Sequence, residues 1–221
     1  MPTQNHNYLM MMRTINGIKE GTQMKKKYNH VYQFKITLGG STPPIWRRIQ
    51  VPETYSFWDL HVAIQDAMRW SGNHLHEFEV VNPSTGLKQT IGTPNDDAGI
   101  NALLDRRQKI ADFFSMTNEL AYYVYDFGDA WEHEILLEKI LPRVKGVKYP
   151  ICLKGRRACP PEDCGGIWGY EELLEIIKDP EHGEHEEMLE LLGGDDFDPA
   201  YFNVNEVTFR DPDKRLREGL E

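Results

Sequence analysis

The run ELAYYVYDFGDAWEHEILLEKIL, residues 119–141, constrains the fold more than any other stretch of the chain. In an extended chain, successive side chains point to opposite faces. Trp131, His133, Ile135 and Leu137 therefore fall on one face, and Glu132, Glu134 and Glu138 on the other. On the outgoing run, Tyr122 and Val124 alternate with Tyr123 and Tyr125, and DFGDA supplies a turn between the two runs. The pattern predicts a β-hairpin with one apolar face and one acidic face, and it places Trp131 in the core.

The rest of the chain supplies partners for that hairpin. Tyr32, Phe34, Ile36 and Leu38 alternate with Gln33, Lys35 and Thr37; GGSTPP breaks the run, and IWRRIQVP reads as a second strand with Ile45, Ile49 and Val51 apolar. The period then changes. In SFWDLHVAIQDAMRW, Phe57, Leu60, Ile64, Ala67 and Met68 recur at helical spacing. Ser56 and Asp59 make a capping-box start, and the helix is expected to end near Ser71–Gly72. HLHEFEVV, from His74 to Val81, reads as a third strand. Asn82 to Asn118 is a polar excursion with a short helix expected around Ala102 to Ile110. GYEELLEIIKDP predicts a helix stopping at Asp179–Pro180, and EHEEMLELLGG a second one closed by Gly193 and Gly194. DPAYF offers Asp198 as a cap with Pro199 in the first helical position. The order predicts an α+β fold: a mostly antiparallel sheet with one helix packed across it, β-grasp-like, plus a C-terminal helical layer.

With 221 residues the chain can bury a core without disulfides or metal. Residues 1–23 show no apolar period and are expected to be a disordered extension before a single domain spanning 24–221. No apolar run reaches the length of a membrane helix, and YLMMM is too short for a signal peptide's apolar region. Three cysteines and no secretion signal point to the cytoplasm. The net charge is −10, yet residues 1–50 carry eight Lys or Arg against the single acid Glu20. The remainder is strongly acidic and would repel phosphate backbones, which argues against a broad nucleic-acid surface.

All three cysteines lie in CLKGRRACPPEDCGG, residues 152–166. Cys152, Cys159 and Cys164 with His133 would supply four ligands for a structural zinc, but the spacing lacks the paired knuckles of zinc ribbons. Core thiols held by a Pro/Gly loop are the favoured reading, so no cofactor is expected, neither zinc nor magnesium. Asp126, Asp129, Glu132, Glu162 and Asp163 come from two loops, and with His133 they would suit metal-assisted hydrolysis if they converged. The competing reading makes Asp126 and Asp129 turn-shaping residues, and Glu162 and Asp163 caps. His74 and His76, two apart on a strand, are expected on one face, with His61 on the preceding helix. There is no Gly-rich phosphate loop, no G-x-S-x-G elbow and no H-E-x-x-H helix.

The stretches PPIWRRIQVP, SFWDLHVAIQDAMRW, HLHEFEV, YDFGDAWEHEILLE and YPICLKGRRACPPEDCGGIWGYEELL together resemble the plasmid pRiA4b ORF-3-like family, in order, from about Lys25 to Thr208. The resemblance implies an association with plasmids and mobile elements as well as chromosomes, and it transfers no catalytic residues. It makes the cysteine–proline–acid segment a family signature. Where that signature and the residue reading overlap, the candidate binding residues are Asp126, Asp129, Trp131, His133, Glu162 and Asp163. The functional expectation is a non-enzymatic cytoplasmic domain that binds a protein or small-molecule partner through the zone formed by YDFGDAWEH and CPPEDCGG. The alternative is a metal-dependent hydrolase, acting on nucleic acid, which requires Asp129, His133, Glu162 and Asp163 to share one coordination sphere.

Overall fold

The computed structural model describes residues 27–94, 102–194 and 197–218. The expected extension, 1–23, lies outside the described residues. Among these residues eight strands form one sheet: β1 (His30–Leu38), β2 (Trp46–Pro52), β3 (His76–Val81), β4 (Lys88–Gly92), β5 (Leu103–Leu104), β6 (Leu120–Tyr125), β7 (Trp131–Pro142) and β8 (Ile151–Arg156). Among the described residues four helices accompany them: α1 (Phe57–Met68), α2 (Gly166–Ile176), α3 (His185–Leu191) and α4 (Pro212–Glu218). The strand order is β5-β4-β3-β6-β7-β1-β2-β8, antiparallel throughout except for β4 beside β5. The fold is therefore α+β with a mostly antiparallel sheet. The β1-β2-α1-β3 start is as expected, but the β-grasp-like description extends no further, because β1 lies between β2 and β7 and is antiparallel to both.

Register turns the alternation into rows beneath α1. Ile49, Phe34 and Leu137 are cross-strand neighbours, as are Arg47, Ile36, Ile135 and Ala121. These residues are buried, and the aliphatic and aromatic ones join Leu60, Ile64 and Ala67 of α1 in one apolar core. On the opposite face Glu132 and Glu134 are exposed. Glu138 takes two 2.6 Å bonds from Arg48, and that guanidinium holds its carboxyl below the ordinary range.

α1 begins as its capping box dictates: Ser56 Oγ accepts from Asp59 N, and Asp59 Oδ2 accepts from Ser56 N at 2.7 Å. It ends at Met68, before the expected Ser71–Gly72. Arg69 adopts φ 67°, and Trp70 N closes onto Gln65 O at 2.9 Å. The left-handed turn drives Trp70 into the core, and burying that ring offsets the cost of the conformation. The outer side of α1 is covered too. Asp66 accepts from Arg210 N at 2.7 Å and from Arg210 Nε at 2.5 Å, and Trp58 Nε1 donates to Pro212 O.

Other expectations are corrected. β3 starts at His76, so His74 precedes the strand and the two histidines do not share a strand face. The helix expected around Ala102–Ile110 is replaced by β5 and short 3-10 turns at Asp105–Arg107 and Ile110–Asp112. Here the backbone is drawn out to pair with the lead-in to α1: Phe57 N donates to Gln108 O and Ile110 N to Tyr55 O. The cysteine segment opens on an unexpected edge strand, β8, paired with β2. DPAYF makes a single turn, with Asp198 Oδ1 accepting from Ala200 N, and then leaves so that Phe202 covers the Arg47 guanidinium at 4.1 Å.

Candidate functional site

The two signature segments meet. At the end of β6, Asp126 takes φ 56° and its Oδ1 accepts from Gly128 N at 3.0 Å, shaping the turn into β7. The cysteine segment reaches this turn from the other side. Trp70 Nε1 donates to Pro160 O at 2.9 Å. Glu162 accepts from Ser71 N at 2.6 Å, Ser71 Oγ at 2.9 Å and Tyr125 OH at 2.5 Å. Gly166 lies so close to the turn that a Cβ there would stand 2.3 Å from Asp129 O, at φ 69°. Only glycine fits this contact.

Between the segments stands His74. Its Nδ1 is 3.5 Å from Asp126 Oδ2, and its Nε2 is 3.3 Å from Asp163 Oδ1. Among the described residues, His74, Asp126 and Asp163 are the one group of three or more His, Cys or carboxylate residues with ligand atoms all within 4.8 Å of one another. Asp126 and Asp163 were expected to converge; their histidine is His74. His133 is instead fully buried between the Trp70 and Tyr123 rings, and its Nδ1 contacts Trp131 O at 2.9 Å. Burial pulls it down to about 4. Trp131 is buried beside Trp70, with ring centroids 5.4 Å apart, so it packs in the core. Asp129 contributes its backbone to the Gly166 contact.

The cysteines stay separate. Cys152 is on β8, Cys159 lies 3.2 Å from Met68 Sδ, and Cys164 precedes α2. Burial pushes the Cys159 thiol up to about 11, and burial with the Asp129 carboxylate pushes the Cys164 thiol up to about 12. Such thiols remain protonated at neutral pH, whereas metals take thiolates. They are not brought together with His133 into a ligand group among the described residues.

Two features escaped the sequence reading. A cleft of about 550 Å³ lies behind the cysteine segment, walled by Met68, Trp70, Cys159 and Phe202, with Arg69 and Glu162 also lining it. Arg47, which also lines it, is buried, 1% exposed, and donates to Ala67 O, Trp46 O, Arg156 O and Arg157 O. Among the described residues it makes no ion pair with a carboxylate. Carbonyls, one of them from the negative end of α1, solvate its charge and tie α1, β2 and β8 together. A signal was present: Arg47 alternates in phase with Ile45, Ile49 and Val51 and so belongs to the buried face.

The fold and its signature contact define an α+β single-sheet domain in which a cysteine–proline–acid segment is docked against a hairpin turn. Residues 30–206 match the family described as "Plasmid pRiA4b ORF-3-like protein", and the chain belongs to that family. It is 38% identical over 178 residues to "Uncharacterized protein y4hQ" of Sinorhizobium fredii, covering 80% of this chain and 88% of that one. It is also similar to the crystal structure of "Protein of Unknown Function MM3350" from Methanosarcina mazei Go1. That match has 52% identity and a TM-score of 0.77, covering 83% of this chain and all of the other.

Proposed function

We propose that the chain is a non-enzymatic cytoplasmic binding domain that takes a small molecule into the cleft behind the cysteine segment. The cleft carries this reading. Its volume of about 550 Å³ is in the range of small-molecule sites, with aromatic and apolar walls and a few polar groups. The segment that resembles the family signature forms one wall, through Cys159, Pro160, Pro161 and Glu162. Three hydrogen bonds to Glu162 and one from Trp70 hold that wall in place, so the site is formed before anything binds. The hydrolase reading needed Asp129, His133, Glu162 and Asp163 in one sphere, and they do not form such a group.

A fragment library screened by 1H–15N NMR tests the cleft. Hits are expected to shift the Trp70 indole N–H together with the amides of Arg69 and Cys159, and Ala158→Phe, which fills the cleft, is expected to abolish them. Shifts scattered over the surface, or hits that survive Ala158→Phe, would remove the basis for the proposal.

A further inference from the structure

We propose that His74, Asp126 and Asp163 bind one divalent transition-metal ion at the junction of the two signature segments. The three residues come from three separate stretches: the approach to β3, the β6–β7 turn and the cysteine segment. One ligand atom from each lies within 4.8 Å of the others. The two closest approaches, 3.3 and 3.5 Å, are long for a charge-assisted hydrogen bond, about 2.7–2.9 Å. They are made by opposite nitrogens of the ring, so one ion takes only one of them: Nδ1 with Asp126 Oδ2, at 3.5 Å, spans about the edge of a tetrahedron with bonds of about 2.1 Å, which is about 3.4 Å.

An independent observation comes from Asp126. Its side chain is only 8% exposed, and Oδ1 is used by Gly128 N. Among the described residues Oδ2 accepts no hydrogen bond, and it faces His74. Oδ2 is not sealed from solvent, and a cation between it and the His74 ring would give the second oxygen of this largely buried carboxylate a close partner. Asp163, with a side chain 72% exposed, can swing to complete the set on whichever His74 nitrogen binds. One imidazole with two carboxylates suits Zn²⁺, Mn²⁺ or Co²⁺ better than the all-oxygen ions Mg²⁺ and Ca²⁺. Three protein ligands on a partly exposed rim leave a coordination position open to water or to a ligand atom.

The site is separate from the proposed cleft ligand, and either stands without the other. The competing occupant of the same space is a proton: an imidazolium at His74 clasped by the two carboxylates.

The test uses the full chain, stripped with a chelator, dialysed, and titrated calorimetrically with ZnCl₂, MnCl₂ and MgCl₂. One Zn²⁺ or Mn²⁺ per chain is expected, with Mg²⁺ much weaker. Asp163→Asn and His74→Gln are each expected to weaken binding by about tenfold or more. Asp163 is exposed, so its variant should fold as the parent does, and equal thermal midpoints of the ion-free proteins check this. Cys164→Ser is expected to leave binding unchanged. The proposal is overturned by absence of stoichiometric binding, by binding that survives both Asp163→Asn and His74→Gln, or by binding lost in Cys164→Ser. A His74 ring that titrates by NMR identically with and without Zn²⁺ would assign the space to the proton.

Discussion

His133 and His74 flank the same hairpin turn, yet they sit in regions that hold polar groups in different ways. In the interior, many polar groups are spent on one another, while His76 Nδ1 and Trp131 Nε1 have no hydrogen-bond partner among the described residues. The His61 and His76 rings stack 3.6 Å apart, His76 Nε2 is 3.1 Å from Asp105 Oδ2, and the Tyr123 hydroxyl meets His61 Nδ1 and Gln65 Nε2. Burial first, then the neighbouring His76, hold His61 well below its usual range. At the rim His74 faces two carboxylates at longer distances and keeps access to solvent. A histidine with no room to change its charge serves architecture. One set between carboxylates at an open edge has the surroundings that the proposed ion requires.

The comparison is broken most directly at Trp131, which shares a strand face with His133. Trp131→Ala is expected to cost about 3–5 kcal/mol in a denaturant titration, because the ring is fully buried against Trp70. A near-neutral result would move that strand face out of the core. Acid is expected to act next in size. His133 is held at about 4 by burial and His61 is also depressed, while unfolded histidine titrates near 6.5. The unfolded chain therefore takes up protons first as the pH falls. The folded state has its full stability above about pH 6.5 and loses it toward about pH 4, with about 2 kcal/mol lost at pH 5 from His133 alone. Urea titrations at pH 7 and pH 5 measure the loss. His133→Asn is expected to reduce it, and an unchanged loss in that variant would show that His133 is not part of the acid response.

The interior was legible in the sequence because burial leaves a periodic trace. The β1–β2 and β6–β7 hairpins and the capping box at Ser56 follow from alternation and local chemistry, and the side chains bear them out residue by residue. The rim was legible only in part. DFGDA and CPPEDCGG each carried a signal, but their meeting depends on Trp70 and Ser71, which capture Pro160 and Glu162 from ninety residues away or more. Contacts of that range leave no period. His74 was misplaced for a related reason. It differs from His76 by two positions, the spacing of strand neighbours, but the strand begins only after it. The excursion from Asn82 failed differently, since its polar, broken pattern concealed Ile110, Phe113 and Phe114, which are buried in the core.

Tyr125 belongs to both regions and gives the smallest and sharpest expected effect. Its ring stacks on Trp70 with centroids 5.5 Å apart, inside the core, while its hydroxyl donates to Glu162 at 2.5 Å on the signature wall. Tyr125→Phe keeps the ring and removes the bond to Glu162 together with the longer bond, 3.4 Å, that the hydroxyl accepts from His74 N. A hydrogen bond to a charged group contributes about 1.5–3 kcal/mol. Glu162 retains both donors from Ser71, so the cost is expected at the low end of that range. Thermal denaturation reads the cost, and the Ser71 amide proton reports whether the wall has moved. A loss of about 1.5 kcal/mol with the Ser71 resonance unchanged would mean that Tyr125 stiffens a wall Ser71 already places. No loss at all would show that the Tyr125 hydroxyl does not couple the two regions energetically.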